Sequence, residues 1–466
     1  MELTLKSNLH TPLLYSTIQY MYRQSLRLRF STALASGFFC GLIGLVTLVN
    51  AAQALQSFSL QDALQTGLNN SPVVQKADAK RSEGKWRAYE GISTFLPEIT
   101  LTGTHFVEKK YQFLNANLLG QSIAFPLIFP TSSAAADLKW LIFDGFGNLE
   151  LYKASSRISE AGDLNFNWVS FQAGHDISIL YARVVATKKL AYVSEQNLST
   201  LQTHLNQTKQ LKLGGQATHY DVLRVESQLS QAEVDLLLAK DDIQIAQENL
   251  SKALGINEPA DAKDSELSEP TPEKFQNLTY TRDTHKRQDL GALEGQVDAT
   301  NLVESSRSKY WVPKLYLIGE YSKYNNITDP LSDWSNYRSA YSLGFQITWD
   351  IFSPKALTKS KEELYQAIQG EKDLVSANLQ APVDFAFWKK RYLYSAANYH
   401  AKKVDVDRAS ETVRLAQAGF RAGIRTTTEV LDAELDLFRA RAGIVTAQMN
   451  CIEAKEKLEL ALGENL

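Results

Sequence analysis

The side chains of this 466-residue sequence that could do covalent or metal chemistry are few and dispersed. Among the histidines, His105, His175, His204 and His219 show no metal-ligand spacing. No nucleophile elbow, phosphate-binding loop or cysteine pair is present. Asp144-Gly145-Phe146-Gly147 suggests the metal-binding triplet of kinases, but the order is not Asp-Phe-Gly and no other kinase element accompanies it. Neither an enzyme nor a bound metal or cofactor is expected. What the residues offer is packing and charge, so the elements that position them carry the argument.

Composition is that of folded protein, with 44% hydrophobic and 22% charged residues. A net charge of −3 and the lack of a basic stripe give no footing for nucleic-acid binding. Residues 1–54 read as a leader rather than as part of the fold. Arg23, Arg27 and Arg29 precede an apolar run over 33–49, and Ala52-Gln53-Ala54 gives a small-x-small cleavage pattern. The run is short for a spanning helix. Met21 is an alternative start, and Gly37-Phe38-Phe39-Cys40 matches a lipoprotein signal poorly. Cleavage after Ala54 leaves Cys451 as the one cysteine, so no disulfide can form within the exported chain.

Self-comparison reveals a duplication. Phe95-Leu96-Pro97 aligns with Trp311-Val312-Pro313, and Phe143-Asp144-Gly145-Phe146 with Trp349-Asp350-Ile351-Phe352. Asp221-Val222-Leu223-Arg224-Val225-Glu226 aligns with Glu429-Val430-Leu431-Asp432-Ala433-Glu434. The landmarks close on Ala253-Leu254-Gly255 and Ala461-Leu462-Gly463. The first repeat is therefore 55–255, an inter-repeat linker 256–283 holds the acidic, proline-bearing stretch 258–273, and the second repeat is 284–466.

Each repeat predicts a helix (60–94 and 284–310), a proline stop, two strands about a polar loop, a very long helix, a glycine-containing turn and a last helix. The first long helix, over 149–213, would span on the order of 95 Å. Val222, Val225, Leu229, Ala232, Leu236 and Ala239 step by three and four, as do Val430, Ala433, Leu437, Ala440, Ile444 and Ala447. Both series run on to the ends of their helices, which predicts a coiled-coil seam with Cys451 as a buried packing thiol. Gly214, Gly215, Gly419 and Gly423 are placed to allow sharp reversals between antiparallel helices.

The strands alternate. Ile99 and Leu101 interleave with Thr100, Thr102 and Thr104, and Tyr341, Leu343, Phe345 and Ile347 with polar or small residues. Such strands suit either a soluble sheet packed on the helices or a transmembrane barrel with a lipid face and a wet face. Tyr316, Tyr321, Tyr324, Trp334, Tyr337, Tyr341 and Trp349 fit an aromatic girdle at the strand ends. Four strands per chain cannot close a useful barrel, so the second reading requires an oligomer. Phe125-Pro126-Leu127-Ile128-Phe129-Pro130 is strongly apolar for the loop that should contain it.

The ordered landmarks, together with Phe143-Asp144-Gly145-Phe146-Gly147 and the run from Ala422-Gly423-Ile424-Arg425 to Glu434, resemble the TolC family of outer-membrane efflux proteins. The resemblance implies an internally duplicated α+β membrane protein. Three chains would build a 12-stranded barrel in the outer membrane of a Gram-negative bacterium and a 12-helix tunnel through the periplasm. It further implies docking to a periplasmic adaptor (membrane fusion protein) and an inner-membrane pump of a tripartite efflux or type I secretion system. The channel itself would be passive. By the same resemblance Glu429 and Asp432, three apart on one helix face, would form the tip constriction, and Arg425 and Asp221 a gate latch. Phe420 stands where other members often place tyrosine, so a tyrosine-to-aspartate bond is lost there. The competing expectation is an exported structural or adhesin-like coiled coil, which explains the heptads but not the duplicated hairpins.

Overall fold

The computed structural model describes residues 56–107, 111–118, 120–128, 132–283, 286–325 and 337–466. The leader, Thr284, Phe129, Pro130 and Trp334 lie outside these residues. In chain order the first repeat contains β1 (Gln56–Phe58), α1 (Leu60–Asn70), α2 (Pro72–Ser93), β2 (Glu98–His105), β3 (Tyr111–Leu118), β4 (Gln121–Ile128), β5 (Ser132–Phe143), α3 (Gly147–Leu213) and α4 (His219–Leu254). Between the repeats lie β6 (Ala260–Ala262) and α5 (Glu273–Gln276), followed by α6 (Gln288–Ser308), β7 (Lys314–Asn325), β8 (Arg338–Thr348), α7 (Pro354–Arg421) and α8 (Thr427–Leu462).

The two long helices, of 67 and 68 residues, are near-equal in the two repeats, and each is followed by a helix of 36. At 1.5 Å per residue the long ones extend about 100 Å. Small and apolar seam positions fill the contacts between neighbours. Val225, Leu250 and Leu458 are fully buried, and Ala232, Ala447, Cys451 and Ala454 nearly so. Burial pushes the Cys451 thiol up to about 11, as befits a packing residue.

The helix expected over 60–94 is two helices. Proline at 72 disfavours a helical residue before it, and Ser71 takes φ −57°, ψ 126°. The segment between the repeats is also packed rather than merely connecting. β6 pairs in parallel with β1, and Ala260, Ala262, Leu267 and Phe275 are buried. Asp261 accepts from Lys188 of α3 at 2.6 Å and from Gln247 of α4 at 2.9 Å, while Gln448 of α8 donates to the Leu267 carbonyl at 2.9 Å. The segment thereby joins both repeats.

Strands β2, β5, β7 and β8 form one antiparallel sheet in that order, so the two repeats pair through β5 and β7. The register sorts the side chains by face. Ile99, Leu138, Gly319 and Leu343 lie in one row, and Leu101, Ala136, Tyr321 and Tyr341 in the next. The opposite face carries Thr100, Asp137, Glu320 and Ser342. Among the described residues no helix covers the apolar face: Leu101 is 80%, Tyr341 87%, Leu343 72% and Phe345 74% exposed. A soluble sheet packed on the helices is thus not what forms. The aromatic girdle needs a correction, because Tyr316 and Tyr324 fall on the polar face with Glu320.

The expected polar loop of the first repeat is itself a hairpin. β3 and β4 pair antiparallel about Gly120, which takes φ +85°, and form a ribbon separate from the four-stranded sheet. The apolar segment begun by Phe125 lies in β4, with Pro126 opposite Phe113. A two-stranded ribbon has a free edge on each strand, where a missing N–H is tolerated.

Candidate functional site

The family-like motifs first resolve into joints. The Trp140 indole donates to the Phe95 carbonyl and the Trp349 indole to the Trp311 carbonyl, each at 2.9 Å. Each bond ties a strand to the residue two before the proline that ended the preceding helix. Asp144 accepts from the Asn148 N–H at 2.7 Å at the start of α3. Gly145 has φ +73°, and a β-carbon there would meet Val312 of the other repeat at 2.7 Å. The Asp-Gly-Phe-Gly run is therefore a turn that lets one repeat seat on the other.

At the far ends of the long helices, the two turns are copies. Gln216 N–H bonds the Leu211 carbonyl at 2.8 Å, and Ile424 N–H bonds that of Gly419 at 2.9 Å. Gly215 and Gly423 take φ +70° and +75°, the left-handed cap that glycine permits. The other two turn glycines act differently. Gly214 sits at φ −81°, which any residue adopts. Gly419 lies inside α7, where a β-carbon would meet the Arg425 stem at 2.5 Å.

Each following helix opens with a reciprocal cap. Thr218 N–H donates to Asp221 at 2.8 Å while the Asp221 N–H returns to the Thr218 hydroxyl at 3.2 Å. Thr426 and Glu429 repeat this at 2.9 and 3.3 Å. The Thr218 hydroxyl beside Asp221 holds its carboxyl below the usual range, and the Thr426 N–H does the same for Glu429, helped by Arg425.

Within the chain Arg425 and Asp221 do not meet. Arg425, in the turn before α8, pairs with Glu429 of that helix's first turn at 3.1 Å, and Asp221 is engaged by Thr218. At the turns a bond between the repeats is made by Arg224, which donates to Thr428 Oγ1 at 2.8 Å and lies 3.5 Å from Asp432. Arg224 and Asp432 occupy equivalent positions of the duplication, so divergence of the copies produced a complementary pair. Both tip carboxylates, Glu429 and Asp432, thus have an arginine partner. The alignment of the copies sets Arg224 level with Asp432; only the helix crossing brings it to Asp432 and Thr428.

Behind the turns lies a cavity of about 1180 Å³ lined by α3, α7 and α8. His204 and Glu434, each with a side chain 4% exposed, face one another across it at 4.0 Å. Gln417 donates to Glu434 at 3.1 Å, and the His204 ring leans on Phe420. Burial lowers the affinity of His204 for a proton and raises that of Glu434.

One histidine contact could not be read from spacing along the chain, that of His175. Long helices bring it to Glu456 and Glu459, 281 residues or more away in sequence, with ligand atoms all within 4.8 Å of one another. Spacing along the chain carries no trace of such a contact.

A sheet with one bare apolar face, carried on duplicated pairs of long helices, defines an α+β membrane protein. The chain belongs to the outer membrane efflux protein family, which matches residues 63–256 and 284–464. Among curated proteins it is 23% identical to the outer membrane protein TolC of Vibrio cholerae over 438 residues, covering 88% of this chain and 92% of that protein. It is 22% identical over 445 residues to nodulation protein T of Rhizobium leguminosarum bv. trifolii, covering 90% and 88%. In fold it is similar to the CusC channel (TM-score 0.73, 14% identity, 88% of this chain and 93% of that one). VceC of Vibrio cholerae gives a TM-score of 0.71 at 15% identity, with 87% and 96% covered.

Proposed function

We propose that the chain is the passive exit duct of a tripartite efflux or type I secretion system, working as a homotrimer that spans outer membrane and periplasm. The observation that carries this reading is the uncovered apolar face of the four-stranded sheet, whose outer strands β2 and β8 each pair on one side only among the described residues. Three such sheets joined edge to edge give a closed twelve-stranded barrel, which removes both open edges and turns the apolar face to lipid. A second observation agrees. Along α7, Ile368, Val375, Leu379, Val383, Phe387 and Tyr394 are 40–68% exposed in the single chain, a stripe suited to a neighbouring helix. No bond is made or broken by the duct; the energy comes from an inner-membrane pump reached through a periplasmic adaptor.

Gating belongs at the helix turns. In this reading Glu429 and Asp432 of three chains gather six carboxylates about the axis and favour cations. Arg425 and Asp221, unpaired with each other within the chain, latch the closed tip between neighbouring chains. Outer-membrane fractionation with cross-linking in mild detergent tests the channel: a trimer is expected there, and a soluble periplasmic or fibrous species rejects it. Single-channel recording of Arg425→Ala tests the latch, which unchanged conductance would sink.

A further inference from the structure

Helix α3 of the first repeat and α8 of the second are joined by two buried histidine–glutamate contacts. The one near the tip, His204 with Glu434, offers a single carboxylate, and Arg421 and Arg425 line the same cavity. The other is richer. His175 Nδ1 lies 2.6 Å from Glu456 Oε2 and 3.8 Å from Glu459 Oε2. Glu456 and Glu459 are three apart on α8, so their carboxylates share a face. The side chains are 6%, 13% and 3% exposed for His175, Glu456 and Glu459. The edge of the Phe171 ring packs on His175 at 4.5 Å between centroids and shields it on that side.

Two carboxylates withdrawn from water require compensation. Among the described residues one lysine reaches them: Lys455 Nζ stands 3.0 Å from Glu459 and 3.8 Å from Glu456. The Leu466 N–H adds a bond to Glu459 at 3.1 Å, and Lys457 pairs separately with Asp176 at 2.9 Å. Lys455 is a third exposed and lines a neighbouring cavity of about 260 Å³. Its ammonium can therefore withdraw toward water without any helix moving. The lysine holds the Oε1 atoms of both carboxylates while His175 faces their Oε2 atoms, so its departure frees two carboxylates from one helix to turn, with the imidazole of the other, onto a single ion. That donor set suits a first-row divalent ion, zinc above all, at about 2.0–2.2 Å per bond. Magnesium and calcium, which take oxygen ligands, suit it less.

We propose that His175, Glu456 and Glu459 form a divalent transition-metal site that exchanges the Lys455 ammonium for the ion and clamps the first repeat to the second. Its ligands come from α3 of the first repeat and α8 of the second, so its role is to hold α3 on α8. Binding brings Glu456, Glu459 and a neutral His175 onto a dication, and the displaced lysine moves to solvent.

The test uses the full-length protein in mild detergent after treatment with a chelator. Cobalt(II) titrated as a zinc surrogate should bind once per chain and give the visible absorption of a four-coordinate nitrogen–oxygen site, with zinc chloride competing it away. His175→Gln and Glu459→Gln should each weaken binding at least tenfold. Lys455→Met keeps all three ligands and removes the competing ammonium, so it should tighten binding several-fold; a lysine that merely pairs with Glu459 predicts no such gain. His204→Gln should leave the titration unchanged. No binding at millimolar cobalt or zinc, equal binding by His175→Gln, or no tightening by Lys455→Met each overturns the site. None of these readouts depends on conductance, so they stand apart from the channel reading.

Discussion

Arg224→Ala removes the side chain that joins the helix turns of the two repeats. It deletes a charge-assisted bond to Thr428 Oγ1 at 2.8 Å and a looser ion pair with Asp432 at 3.5 Å. A bond of this type contributes about 1.5–3 kcal/mol when buried, and an exposed ion pair about 0–1 kcal/mol. Here Arg224 is 34% and Asp432 64% exposed, so solvent screening takes most of the ion pair and part of the bond. About 1 kcal/mol remains, which is about fivefold in the equilibrium between joined and separated turns. Two assays read it. Amide exchange of residues 219–225 and 427–434 should quicken by about that factor, and on the proposed duct reading the protein in planar bilayers should conduct more. Arg425→Ala provides the contrast, since within the chain it loses a partner four residues away in its own repeat and should leave that exchange nearly unchanged. Wild-type exchange in Arg224→Ala would refute the cross-repeat bond as a restraint on the tip. A large exchange change in Arg425→Ala alone would move the restraint to the neighbouring chain.

Further outcomes follow from the same geometry. Gly423→Ala, forced to φ +75°, should cost about 1 kcal/mol, whereas Gly214→Ala at φ −81° should be neutral; exchange at the two turns compares them. Thr218→Ala should weaken the start of α4 by about 1 kcal/mol. Because the folded Asp221 carboxyl titrates below its ordinary value, this cap is complete above about pH 4 and fades as pH falls through the lower folded value. The first turn of α4 should accordingly lose exchange protection in acid, and Thr218→Ala should flatten that dependence. Cys451, buried and with its thiol near 11, should resist a maleimide at pH 8 until the protein is unfolded, having about a thousandth of its sulfur as thiolate.

Much of the architecture was legible because it is periodic. Apolar steps of three and four define a helix seam whatever lies opposite, and alternation defines a strand with two unlike faces. Duplication doubled each signal. Local chemistry marked the caps as well, since Thr-x-x-Asp and Thr-x-x-Glu before an apolar series announce a helix start. The break in the first helix is written locally in Ser71-Pro72, since the proline both ends one helix and suits the first turn of the next. The β3–β4 ribbon was hidden by its own proline, which reads as a breaker unless the strand is known to have a free edge.

What the sequence by itself determined is the repeat, the element order and the two-faced strands, all properties of residues close along the chain. Tertiary structure alone decided the pairings. Whether Tyr316 joins the apolar face depends on pleat and register, and whether Arg224 finds Asp432 depends on how two helix pairs cross. The burial of Ala260, Ala262 and Leu267 between the repeats and the meeting of His175 with Glu456 and Glu459 are decided in the same way. Such contacts join residues up to hundreds of positions apart, and their free energy resides in distance and desolvation, neither of which is written in spacing along a chain.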